Sequence, residues 1–422
     1  MSSSSLKVIY INADSGIPVW GGVGGSIHIR EFVCALKEAG HSPTVVTARF
    51  DPSCGPEVDI PILQIPTSAA ESFFASVSQK SENARALREA QSFHANNGLF
   101  DLLQDLRREA RCDLVYERYS LFSFAGMAFA AEAGVPYVLE VNSPLIDETL
   151  KHRSLAHLQL AREIERYLFN HADHLIVVSE ELRNYVRSVA PDADVSVVPN
   201  AVNPGRFARP PQNGSAPGST DRARREFLVG YMGTLKPWHG LEVLLDAFAE
   251  FSAGSRGRRL VIIGDGRRMR SQLEKRCDEL GIGECVSFTG ISAYEDTPSR
   301  LQACDVLVAP YPELENFYFS PLKLFEYMAS GRAIVASRVG QVAEILDDQR
   351  SGLLALPGDK RALARALERL EDDVELRVRL GAEARRVALA EHTWANRITQ
   401  VSGVFEQLLA NEFCGENEKV KA

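Results

Sequence analysis

The chain has 422 residues, 45% of them hydrophobic and 24% charged, with a formal net charge of −9. This is globular composition, long enough for two or three domains, and the acidic balance argues against a nucleic-acid binder with a basic footprint. Seven cysteines, at 34, 54, 112, 277, 285, 304 and 414, form no CxxC pair, so they read as small buried residues of a reducing compartment, without disulfides or structural zinc. The start, Met1 to Ser5 followed by Leu6-Lys7-Val8-Ile9-Tyr10, lacks the basic region and apolar length of a signal peptide. No run of about 18 apolar residues could span a membrane, and the expectation is a cytoplasmic protein. Two basic clusters stand out: Arg107, Arg108 and Arg111, then Lys151, Arg153, Arg162 and Arg166. Each reads either as a solvated helix face or as a peripheral contact with anionic lipid.

In chain order, the first apolar run of strand length is Val8 to Ile11, followed by a glycine-rich turn and a helix pattern from Ile27 to Ala39. Later strand signals are Thr44–Thr47, Leu114–Tyr116, Tyr137–Leu139, Leu175–Val178 and Val195–Val198. Residues 209–225, rich in Pro, Gly and Ser, have linker composition. Alternation then resumes with Leu228–Met232, Leu260–Ile263, Val286–Phe288, Val306–Val308 and Ile334–Val335. From about residue 360 the pattern is helical, and beyond Asn411 it is polar. Continuous apolar strands separated by helices predict parallel sheets covered on both faces. The expected fold class is α/β, with two Rossmann-like doubly wound domains, 1–208 and 226–385, and a helical tail, 386–422. Such sheets bind ligands beyond the carboxyl ends of their strands. Facing domains would share a cleft there.

The loops after the strands carry the candidate chemistry. Gly21-Gly22-Val23-Gly24-Gly25-Ser26 follows the first strand, and Gly22, Gly24 and Gly25 would let the backbone approach a diphosphate or sugar. Its spacing is poor for a dinucleotide fingerprint, since Ile27 stands where a third glycine belongs and no acid ends the second strand. Gly233-Thr234-Leu235-Lys236-Pro237-Trp238-His239-Gly240 sits between a strand and a helix. Lys236 lies just outside that helix N-terminus, and His239 reads as a hydrogen-bond donor or a packed loop residue. Gly264 and Asp265 end the next strand, and Gly290 and Ile291 the one after; cleft lining, base-edge contact and plain turns all remain open.

Ser320-Pro321-Leu322-Lys323 reads as an N-cap, a first helical proline and a lysine in the first turn. The helix dipole disfavours a cation there, whereas an arriving phosphate would explain it. Lys323, Glu326, Tyr327 and Ser330 share one helix face, so Glu326 can accept from two vicinal ribose hydroxyls or pair with Lys323. In the first half, Arg118, Glu140 and Asn142 are polar where the chain leaves the sheet, and suit the transferred group or the acceptor. Asp192-Ala193-Asp194 has no metal-ligand spacing. No GxSxG elbow and no Gly-Lys-Ser/Thr phosphate loop is present.

Together these motifs resemble the family 4 glycosyltransferases of the two-domain GT-B fold, most strongly from Leu228 to Pro357. Gly-Thr-Leu-Lys-Pro-Trp-His-Gly, Ile-Ile-Gly-Asp-Gly, Ser-Pro-Leu-Lys-Leu-Phe-Glu-Tyr-Met-Ala-Ser-Gly and Pro-Asn-Ala-Val-Asn carry the likeness. It implies transfer of a sugar from a nucleotide donor to an acceptor hydroxyl with retained configuration and no required metal or cofactor. The acceptor, a carbohydrate, lipid-linked glycan or small metabolite, would lie mainly in the first domain. The donor would lie in the second, with phosphate contacts at Lys236, Lys323 and the Leu322 backbone and a ribose contact at Glu326. The tail, including Trp394, would cross back to the first domain. Four positions depart from the family pattern: Tyr318 for a glutamate, Thr234 for arginine, His239 for lysine, and Arg118 or Tyr119 where a histidine commonly follows the strand near Tyr116. A sugar-nucleotide epimerase or hydrolase, or a non-catalytic partner subunit, are the rival readings.

Overall fold

The computed structural model describes residues 5–51, 59–79, 81–208, 226–255 and 257–419, with side chains as far as 411 apart from that of 152. The linker expected at 209–225 lies outside the described residues, as do the last three residues.

The chain packs as two compact units, one comprising 1–199 and 394–422, the other 200–393. The changeover thus falls at Pro199–Asn200, ahead of the linker, and the last helix, Trp394–Lys419, belongs with the N-terminal unit. That helix packs on the Gly24–Glu38 helix. Trp394 lies edge-on to His28 with centroids 5.3 Å apart, and Phe405 meets Tyr116 at 6.2 Å.

The first unit holds β1 (Lys7–Asn12), β2 (Ser42–Thr47), β3 (Ile62–Gln64), β4 (Leu114–Arg118), β5 (Tyr137–Val141), β6 (His174–Val177) and β7 (Val195–Val197). The sheet order is β3-β2-β1-β4-β5-β6-β7, with every pairing parallel. The second unit holds β8 (Phe227–Met232), β9 (Arg258–Ile263), β10 (Val286–Gly290), β11 (Val306–Ala309), β12 (Ala333–Ser337) and β13 (Leu353–Ala355). Its order is β10-β9-β8-β11-β12-β13, again parallel throughout. Both are doubly wound Rossmann-like sheets, and the strand order reverses between β1 and β4 and between β8 and β11. Those reversals are where crevices open at the carboxyl edge. Continuous apolar strands such as Val306-Leu307-Val308-Ala309 are wholly buried, because helices cover both faces of a parallel sheet.

Several boundaries differ from expectation. The helix after β1 begins at Gly24, so Gly24 and Gly25 are its first residues and only Gly21 and Gly22 belong to the turn. Close packing explains two of these glycines: a Cβ on Gly21 would lie 2.8 Å from Pro18 and one on Gly25 3.0 Å from Ile17, whereas one on Gly22 would meet nothing within 4 Å; Ser26 Oγ donates to the Pro18 carbonyl at 2.6 Å. Arg118 and Glu140 lie inside β4 and β5 rather than after them. They are register partners on adjacent parallel strands, which puts their side chains on one face. Gly290 ends β10, as expected, and Ile291 lies beyond it.

Candidate active site

In the second unit, the loops after β8 and β11 meet at the strand-order reversal. The β8 loop is held by backbone bonds to its neighbour: Gly233 N donates to Ile263 O at 2.9 Å, and Leu235 N to Asp265 O at 3.0 Å. Gly264 has φ +144°, and a Cβ there would overlap the Gly233 carbonyl. Asp265 bonds its own turn, accepting from Gly266 N at 2.7 Å. Gly290 supplies its carbonyl to Gly264 N at 2.9 Å, and Ile291 beyond it is 76% exposed.

The helix carrying Lys323 runs from Leu322 to Ser330. Pro321, with ψ 109°, occupies the cap position, and no side chain caps the helix. Ser320 is therefore not the N-cap: an extended proline separates it from the first turn. Its hydroxyl is engaged elsewhere, accepting from Asn200 N at 2.8 Å, while its carbonyl accepts from Asn200 Nδ2 at 2.6 Å. Two motifs 120 residues apart in sequence are thereby joined. With no side-chain cap, the free N–H groups of the first turn stay available to an anion.

Lys323 is the second residue of this helix and half-buried. Its Nζ donates to Tyr231 Oη at 2.8 Å and stands 4.5 Å from the Tyr231 ring centre and 5.6 Å from that of Tyr311. A Cβ on Gly233 would sit 2.7 Å from this amine, so glycine leaves its approach to the β8 loop clear. Burial depresses the ammonium to about 7, with Glu326 opposing the shift. The amine thus rests on a neutral phenol, desolvated, and an arriving anion would restore its charge.

His239 closes the β8 loop. Its Nδ1 is 2.6 Å from the Thr234 carbonyl and 3.0 Å from Tyr231 Oη. Burial, with Lys323 and then Lys236 adding to it, pushes the imidazole down to about 2 against the Thr234 bond, so the ring is neutral. Lys236 and Thr234 are exposed, and Lys236 Nζ lies 5.5 Å from the Trp238 ring centre. Glu326 is buried, with Arg206 NH1 3.9 Å away. The Arg206 guanidinium carbon sits over the Tyr294 ring, 3.2 Å from its centre. No sequence signal linked Arg206 to Glu326, which lie 120 positions apart.

In the first unit, Glu140 is buried at 2% exposure. Its Oε1 accepts from His28 Nε2 at 2.8 Å and from Tyr116 Oη at 3.0 Å, and its Oε2 faces Arg118 NH1 at 3.6 Å. Burial alone would raise this carboxyl, but His28 and Arg118 hold it down at about 2. Tyr10 stacks on Tyr116 with centroids 5.5 Å apart, and Phe32 and Trp394 complete an aromatic surround. Four buried polar atoms here have no hydrogen-bond partner: Tyr10 Oη, Arg118 NH1, Glu140 Oε2 and Asn142 Nδ2. Such atoms are costly unless a ligand or water meets them. The sequence reading missed His28, Tyr10 and Tyr116, which look like ordinary apolar-face residues in their own elements. The structure gathers Lys323, Tyr231, His239 and Glu326 in one unit, and Arg118, Glu140 and His28 in the other.

Among the described residues, no group of three or more His, Cys, Asp or Glu side chains is placed to hold a metal ion. Asp194 of the acidic triplet pairs with His174 at 3.1 Å. In the first basic cluster Arg108, on the helix Ala84–Glu109, pairs with Asp105 at 2.7 Å, and Arg111, beyond the helix end, with Asp113 at 3.0 Å. No described helix is long and apolar enough to cross a membrane.

The family profile for Glycosyl transferases group 1 matches residues 226–373, and that for Glycosyltransferase Family 4 matches residues 22–206. The two matches together take in most of the chain, and the chain belongs to the family 4 glycosyltransferases of the GT-B fold. Alpha-D-kanosaminyltransferase of Streptomyces kanamyceticus is 30% identical over 183 residues, 43% of this chain and 46% of that protein. The chain thus spans about half the length of that relative. D-inositol 3-phosphate glycosyltransferase of Corynebacterium jeikeium is 28% identical over 72% of this chain and 75% of that protein. Among solved structures, Anabaena HepE in complex with UDP and glucose superposes with a TM-score of 0.70 at 18% identity, covering 95% of this chain and 99% of that one.

Proposed function

We propose that the protein transfers a sugar from a nucleoside-diphosphate sugar to an acceptor hydroxyl, with retention of anomeric configuration. The observation that carries this reading is Lys323. It is a desolvated amine in the first turn of an uncapped helix, and its hydrogen bond goes to the neutral Tyr231 rather than to a carboxylate. A diphosphate supplies the negative charge that such a group lacks. The UDP and glucose bound by the HepE relative fit the same donor chemistry.

In this mechanism Lys323, Lys236 and the Leu322 N–H stabilise charge growing on the leaving diphosphate. These cations supply the counter-charge within the chain, which favours a metal-independent reaction with no cofactor. Glu326 accepts from the ribose hydroxyls, with Arg206 NH1 3.9 Å from its carboxylate. Gly290 and Ile291 offer a backbone edge and an apolar surface to the base. The first unit takes the acceptor: Tyr10 Oη, Arg118 NH1, Asn142 Nδ2 and Glu140 Oε2 lie buried without a hydrogen bond of standard geometry, with Arg118 NH1 and Glu140 Oε2 3.6 Å apart, a set that suits a polyhydroxylated molecule. Against its burial, His28 and Arg118 hold the Glu140 carboxyl down and engaged, which favours the leaving phosphate as the group that takes the acceptor proton. The buried, unpaired thiols of Cys112, Cys277 and Cys304 suit a cytoplasmic setting.

Thermal melting with UDP-, GDP- and dTDP-sugars tests the donor class, because a ligand bound only to the folded state raises the midpoint. One base should shift it. Product analysis with that donor should then give the donor's own anomeric configuration. Inversion would overturn retention, and release of free sugar with every acceptor offered would favour a hydrolase.

A further inference from the structure

We propose that His239 selects the donor's glycosyl group by accepting a hydrogen bond from one of its hydroxyls through Nε2. This rests on the donor reading above and goes beyond it by naming the atom that reads the sugar. A carbonyl oxygen can only accept, so Nδ1, 2.6 Å from the Thr234 carbonyl, must carry the ring's proton. The other tautomer would set two lone pairs against each other at that distance. Tyr231 is consistent with this: its Oη receives Lys323 Nζ at 2.8 Å, and its own proton faces the same Thr234 carbonyl at 3.4 Å rather than Nδ1. The doubly protonated ring would add a third cation beside Lys323 and Lys236, in a buried setting that disfavours it. A neutral imidazole with Nδ1 protonated has a bare lone pair at Nε2.

That lone pair sets the ligand chemistry. Phosphate oxygens carry no hydrogen and are repelled by it, so the diphosphate belongs to the lysines. The oxygen-bound protons of a sugar nucleotide lie on its ribose and its glycosyl group. The ribose is allotted to Glu326, one turn further into the Leu322–Ser330 helix, which leaves a glycosyl hydroxyl for His239.

Nitrogen NMR of the full-length protein with labelled histidine reads the ring directly, with His239→Gln used to assign its signals. The Nδ1–H form should persist from about pH 6 to about pH 8. A ring protonated at Nε2, or one that titrates in that interval, overturns the proposal. The binding arm compares the best-stabilising sugar nucleotide of the UDP, GDP and dTDP panel with its plain diphosphate. In His239→Leu the plain diphosphate should bind within about twofold of wild type while the sugar nucleotide loses about tenfold, the worth of one hydrogen bond. His239→Gln, whose amide oxygen also accepts, should recover most of that loss. Equal losses for both ligands would assign His239 to the phosphates, and no loss for either would remove it from the site; both results refute the proposal. A wild-type protein that binds none of the three diphosphates would instead defeat the donor reading itself, whatever the state of the ring.

Discussion

Glu117 lies on β4 at 1% exposure, with Ser123 Oγ donating to Oε1 at 2.6 Å and Tyr137 Oη to Oε2 at 2.9 Å. Burial raises its carboxyl to about 7, against the two hydroxyl bonds. The folded state therefore holds a proton that the unfolded chain has already lost, so stability falls as pH rises from about 4.5 to about 7. Glu117→Gln removes the ionisable group in the same shape. Its melting point should match wild type at pH 5 and exceed it at pH 8; a variant less stable at pH 8 by the same margin as at pH 5 would show that the carboxyl is not strained by burial. Lys323 carries the comparable strain in the second unit, where desolvation rather than a partner sets its charge. Neither perturbation was legible in the sequence. Glu117 stands between two apolar-rich stretches, and nothing local says that helices close over it. Lys323 itself, though not its shift, stood out because a cation at a helix start breaks a preference that can be read without coordinates.

The loop from Gly233 to Gly240 depends on a backbone-to-backbone approach. Gly264 lies against the Gly233 carbonyl with φ +144°, a conformation that L side chains rarely adopt. Gly264→Ala should cost about 2 kcal/mol or more in chemical denaturation and should displace the Lys236–His239 segment, with loss of nucleotide stabilisation. Unchanged stability together with unchanged nucleotide response would refute the claim that this contact positions the loop. At the other helix start, the motif Ser320-Pro321-Leu322-Lys323 was read one residue out of register. Ser-Pro is a common cap-and-first-turn pair, but Asn200 draws the serine away and the proline stays extended. The strands β3 and β13, three residues each, were missed, whereas β7, equally short, was found because Val198 extends its apolar run. Arg118 and Glu140 were placed in loops because a polar residue at a strand's carboxyl end looks like the start of the next turn.

Most of the architecture was legible because parallel sheets demand uninterrupted apolar strands, and such runs survive without any knowledge of partners. The contacts that build the sites were not, since His28 and Glu140 are 112 positions apart and Arg206 and Glu326 are 120. The return of the last helix to the first unit was expected from the family resemblance, not from the helix's own residues. Trp394, 4% exposed, packs on His28 and Phe32, so Trp394→Ala should destabilise the first unit by about 3–5 kcal/mol. Its denaturation should become separable from that of the second unit, and a single unshifted transition would contradict the packing. The central claim is that Lys323 holds the diphosphate of a sugar nucleotide. It is tested most directly by titration calorimetry of wild type and Lys323→Ala with the nucleoside diphosphate that melts highest. Wild type should bind and the variant, still folded, should lose about ten- to a hundredfold, the worth of a charge-assisted hydrogen bond. Equal affinity in the two proteins would contradict the account.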